Sequence, residues 1–138
     1  MEPRTSRNAV PAIALLLSLA GCGGDEGVAE AAAENSQEQE SVAAAIRSGR
    51  LTPLGPFFFN CSEDPSDRLV ASFYATEPAA MVAEYRGEEA LLFQTISGSG
   101  ARYVSGSTSF WEHQGEVTLE WGDPPTTYIC AAPPDPSQ

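Results

Sequence analysis

Between Glu116 and Trp121 the chain alternates strictly, with Val117, Leu119 and Trp121 on one side and Glu116, Thr118 and Glu120 on the other. A period of two fits an extended strand with one buried face. Looser versions of the pattern fill the region upstream. Arg68–Ala75 sets Leu69, Ala71 and Phe73 on one face, and Ala79–Tyr85 does the same with Met81, Ala83 and Tyr85. Pro56–Cys61 contributes Phe57, Phe58 and Phe59, a β-prone run that also supplies core bulk. Arg86-Gly87 turns the chain into Glu88–Ile96, where Leu92 and Ile96 share a face. Arg102–Val104, Thr108–Glu112 and Thr126–Cys130 complete a set of about eight short strands separated by turn residues. Residues 51–131 are therefore expected to form an all-β domain: a small antiparallel β-barrel or the related sandwich, closure being one way to remove exposed strand edges.

The residues before this region carry none of its patterning. Arg4 and Arg7 precede Ala12–Ala20, a run that is apolar except for Ser18 and too short to anchor across a bilayer. It ends in Leu19-Ala20-Gly21-Cys22, which resembles the lipobox of bacterial lipoproteins. That resemblance implies a signal peptide over residues 1–21 and a diacylglyceryl group, with further palmitate-type acylation, on Cys22. Several acyl chains hold a protein stably at a membrane. Gly23, not aspartate, follows Cys22. By resemblance to the sorting rule of enteric bacteria, this points to the outer membrane of a bacterial cell envelope. Residues 22–50 are rich in Ala, Glu, Gln, Ser and Gly and lack aromatics, so an acidic, disordered tether is expected, flickering into helix especially at Ser41–Ile46. Residues 132–138 read as a frayed, proline-rich tail.

Charge narrows the partners. Nineteen acids face seven bases, all arginine, for a net charge of −12. A field of this sign repels nucleic acid and anionic lipid and favours cationic partners through fast, salt-sensitive encounter. No cofactor is indicated. One histidine and no closely spaced cysteine pair leave a metal site without ligands. With Cys22 given to lipid, Cys61 and Cys130 remain at the two ends of the strand-rich region. An exported chain meets an oxidising compartment, where these two are expected to form a disulfide.

The stretch Ser97-Gly98-Ser99-Gly100-Ala101-Arg102-Tyr103 is the most distinctive. Glycines flank Ser99, so the backbone there is free to take positive φ and present a hydroxyl at the tip of a tight loop. His113, the only histidine, sits at the next turn. As a nucleophile and base, Ser99 and His113 lack the Gly-x-Ser-x-Gly elbow and its strand–turn–helix context. No spacing singles out a pair of carboxylates either, so neither an enzyme nor a small-molecule substrate is expected. Trp111 and Trp121 read as core or barrel-rim residues.

The same loop, followed by Phe110-Trp111 and Glu116-Val117-Thr118-Leu119, resembles the signature of the membrane-bound inhibitors of C-type lysozyme. The resemblance covers roughly Phe58–Cys130. It implies a small β-barrel that plugs the active-site cleft of a host lysozyme and so blunts host defence. In that family a serine of the first motif and a lysine in the turn of the second reach the enzyme's catalytic glutamate and aspartate. Ser99 is the best match for the serine and Ser97 a near alternative; Gly100, Arg102 and Tyr103 complete the loop. The lysine position falls on His113 and the glycine after it on Gln114, both departures from the family pattern. C-type lysozymes are basic, so an acidic exterior would steer the encounter. The alternative class is a non-inhibitory acidic barrel that binds another cationic or glycan-bearing envelope partner.

Free histidine titrates near 6.5, and two facing carboxylates favour its protonated form. With His113 in the lysine position, binding to lysozyme is expected to tighten as pH falls from about 8 toward 6. Titration calorimetry across that range checks this. A flat affinity, or an unchanged profile in His113→Ala, would make His113 a spectator.

Overall fold

The computed structural model describes residues 26–134. One helix, α1 (Glu26–Arg47), precedes eight strands. These are β1 (Leu54–Asn60), β2 (Arg68–Tyr74), β3 (Ala80–Tyr85), β4 (Glu88–Thr95), β5 (Ala101–Ser105), β6 (Thr108–His113), β7 (Glu116–Trp121) and β8 (Thr126–Ala131). Each strand pairs antiparallel with its neighbour in sequence, and β1 meets β8, so the sheet closes into an up-and-down barrel. The connections are short, as antiparallel pairing allows. Because strand direction alternates, the β2–β3, β4–β5 and β6–β7 connections lie at one end.

Alternation fills the interior as expected. Leu69, Ala71, Met81, Ala83, Leu92, Val117 and Leu119 are fully buried in one cluster. Aromatics close each end of this aliphatic middle. Toward the end carrying the β4–β5 loop, Phe110 packs edge-on against Phe59, Phe73 and Tyr103. At the other, Tyr85 packs edge-on against Trp121 and Tyr128. One inward assignment fails. Strand β4 stops at Thr95, so Ile96 does not share the core face of Leu92; it is 98 % exposed.

The second aromatic group is clamped from outside the barrel. Arg86, in the β3–β4 turn, donates Nε–H and Nη2–H to the two oxygens of Asp67 at 3.1 and 3.2 Å, and Nη1–H to the Tyr128 hydroxyl at 3.0 Å. Its guanidinium lies over the Tyr85 and Tyr128 rings. The planar fork satisfies a carboxylate and two π-faces together. Arg86 holds the Asp67 carboxyl below its usual range, and burial, with Asp67 beside it, pushes the Tyr85 hydroxyl up to about 12.

Within the expected tether, helix extends beyond Ser41–Ile46 to the whole of Glu26–Arg47, and it ends in a Schellman pattern: Gly49 N–H donates to the Ile46 carbonyl and Arg50 N–H to that of Ala45. Lack of a core does not preclude this, because Ala, Glu and Gln are strong helix formers in their own right. Ala43 is buried and Gln39, Val42, Ala45 and Ile46 are half-buried, while the remaining side chains of Ala32–Arg47 stay largely in solvent. The signal peptide and the Cys22 lipidation site lie outside the described residues, as do the last four residues of the tail.

Closure is narrow. Asn60↔Ala131 is the single register pair between β1 and β8, and the Cys61–Cys130 disulfide sits beside it. Pro133 and Pro134 have no N–H with which to extend that ladder. The expected disulfide therefore spans the weakest junction of the barrel, joining residues 69 apart in sequence. Closing a loop of that length stabilises a fold by roughly 4 kcal/mol in the chain-entropy model. The Cys61→Ala/Cys130→Ala variant is expected to lose about that much, measured as a lower urea midpoint than the oxidised protein.

Candidate functional site

The β4–β5 loop owes its shape to three contacts. Gly100 sits at φ +67° directly under the β6 backbone; a Cβ there would run into the Glu112 carbonyl oxygen. The Ser97 hydroxyl donates to the Ser99 carbonyl, two residues on, at 2.7 Å. The Trp111 indole N–H donates to the same oxygen at 3.0 Å. Only one of the two glycines flanking Ser99 takes positive φ; Gly98 does not.

These contacts separate the two serines that the sequence left as alternatives. Ser97 is half-buried and uses its hydroxyl inside the loop. Ser99 is exposed, its carbonyl doubly held, and among the described residues its hydroxyl has no hydrogen-bond partner.

Trp111 links this loop to the next turn. Its ring is 37 % exposed on the outer face and stacks on His113, with centroids 6.0 Å apart and planes 22° apart. His113 pairs with Glu116 across a two-residue turn in which Gln114 (φ 54°) and Gly115 (φ 85°) are both left-handed. That is a type I′ hairpin, whose twist suits the flanking strands. The Glu112 carboxylate accepts from the Gly115 N–H at 2.9 Å and fixes the turn. The departure at Gln114 thus falls where glycine is most at ease.

The remaining predicted residues divide. Arg102 is exposed, in register with Trp111, and has no ion-pair partner among the described residues. Its charge is available to a partner. Tyr103 points inward instead: it is 8 % exposed, packs on Phe73 and Phe110, and burial raises its hydroxyl above the usual phenol range. It supports the loop from within the barrel. Ser99 and His113 share no hydrogen bond, and no three His, Cys, Asp or Glu side chains among the described residues converge on a metal position. Sequence reasoning missed the bracing role of Trp111. The signal available was an indole N–H on the outer face of a strand beside a glycine-rich loop.

A closed barrel whose two polar connections are fixed side by side at one end defines a rigid binding module, with donors presented and few groups left to order. The family described as membrane-bound lysozyme-inhibitor of c-type lysozyme matches residues 59–127, half of the chain. The protein belongs to that family, and the whole of both connections lies inside the match. Proteins named Lipoprotein LprI from Mycobacterium bovis and Mycobacterium tuberculosis are each 40 % identical over 63 residues, 45 % of this chain. The matched segment spans 31 % of their length. No solved structure matches the chain.

Gly100→Ala is expected to destabilise the protein by at least about 1 kcal/mol from the left-handed backbone alone, with further loss from the contact at Glu112. Gly98→Ala has open space around it and ordinary φ, so a change within about 0.5 kcal/mol is expected. Urea unfolding of the two variants checks the contrast.

Proposed function

We propose that this protein inhibits a C-type lysozyme by inserting the β4–β5 loop and the β6–β7 turn into the catalytic cleft. It does so from a lipid anchor at Cys22 in the outer membrane of a bacterial envelope. The observation that carries the reading is the division of labour within the loop: Ser97 and Trp111 hold the Ser99 carbonyl, while the exposed Ser99 hydroxyl has no partner among the described residues. The lipobox, and relatives that are themselves named lipoproteins, support the anchor.

The chemistry of the target fits. A retaining glycosidase cleft presents two carboxyl groups about 5 Å apart. A hydroxyl donates to one of them, and a cation from Arg102 or protonated His113 meets the negative charge that remains. Because the donors are already ordered, association does not have to freeze the loop. The net negative charge of the protein speeds the approach of a basic enzyme.

The test is lysis of a peptidoglycan suspension by a C-type lysozyme, with a goose-type enzyme in parallel and the oxidised full chain as inhibitor. Selective inhibition of the C-type enzyme is expected, weakened about tenfold or more in Ser99→Ala through loss of a hydrogen bond to a charged group. Binding that ignores Ser99 and collapses in modest salt would identify the alternative, an acidic module with another cationic partner.

A further inference from the structure

Beside the Ser97–Gly100 loop, and on the same end of the barrel, lies an open groove of about 520 Å³ between the β2–β3 and β4–β5 connections. Glu77 and Pro78 form one wall, Thr95, Ile96 and Ser97 the other. Its frame is braced: Gln94 N–H donates to the Ala79 carbonyl at 2.8 Å, and the Thr76 hydroxyl to the Pro78 carbonyl at 2.8 Å. Ile96 stands on the rim, 98 % exposed, the most exposed of the large apolar side chains in the described chain. A lone exposed apolar residue is ordinary on a protein surface. What distinguishes Ile96 is its company. It directly precedes the braced serine loop, and an exposed carboxylate, Glu77, faces it across the groove.

An apolar rim opposite a carboxylate matches one kind of side chain well: a long cation, with a hydrocarbon stem for Ile96 and a charged head for Glu77. We infer that Ile96 and Glu77 form a second contact with the lysozyme, outside the cleft, that grips a lysine or arginine on the rim of that basic enzyme. The inference rests on the inhibitory reading given above. It adds a contact that the cleft-inserting serine and turn do not supply. It also identifies a place where discrimination among C-type lysozymes arises, since enzymes differing in that rim residue share the same catalytic carboxylates.

Ile96→Ser and Glu77→Gln in the oxidised full chain test it, with Kd and koff for a C-type lysozyme measured at several salt concentrations. Ile96→Ser is expected to weaken binding about tenfold, chiefly through faster dissociation. Glu77→Gln is expected to weaken it by about threefold and to flatten the salt dependence. The double variant should lose less than the sum, because both residues act on one partner side chain. Ile96 is almost wholly in solvent, so unchanged thermal unfolding of Ile96→Ser is expected and separates contact from folding. Wild-type inhibition with Ile96→Ser binding undiminished overturns the inference and leaves the inhibitory reading standing. A wild-type chain that does not bind lysozyme overturns both.

Discussion

The barrel depends on one junction. Seven of its eight strand interfaces join neighbours in sequence, and each forms locally with a short connection. The eighth brings together the two ends of the sheet, β1 and β8, through one ladder pair and the adjoining disulfide. Loop-closure entropy is concentrated there. Arg86 reinforces the same region by tying the β1–β2 connection, through Asp67, to Tyr128 on β8. Without this closure β1 and β8 would be two open sheet edges, and Phe57, Phe58 and Ile129 already leave apolar surface in solvent near them.

What the closed barrel delivers is positional certainty for a small number of donors. The aromatic packing of Tyr103 and Phe110 fixes the strands flanking the β4–β5 loop from inside, and Trp111 reaches the loop from outside. Between them the Ser99 carbonyl has no freedom to spare. The loop-bearing end carries both signs of charge: Arg102 stands on β5, while Glu112 and Glu116 flank the β6–β7 turn and Glu77 lies on the β2–β3 connection.

Most of this architecture was legible because burial on one face imposes a period of two. Val117, Leu119 and Trp121 announced β7 and occupy the core together. The rule fails where a strand stops, since periodicity extends naturally past the last ladder bond. Ile96 was read inward for that reason, though β4 ends one residue earlier. At Tyr103 contiguity with the serine loop suggested contact, whereas alternation within β5 turns its side chain into the core while Arg102 stays outside. The helix over Glu26–Arg47 shows that poor core-forming composition and poor helix propensity are different properties. Ser99 was legible as the better of two serines from its flanking glycines, but what separates them, the Ser97 hydroxyl turned onto the Ser99 carbonyl, was not, and neither was the bracing bond from Trp111, twelve residues away.

The close approach of Gly100 to the β6 backbone has a consequence for how such a protein diversifies. A loop seated against a neighbouring strand cannot lengthen or shift without lifting off its support, so adaptation to a changed target must proceed by exchanging side chains on an unaltered trace. Ile96 and Ser99 project from that trace into solvent, with Arg102 on the strand that follows and Gln114 on the neighbouring turn. They form a short alphabet on a fixed page, and change at this surface is confined to rewriting those letters.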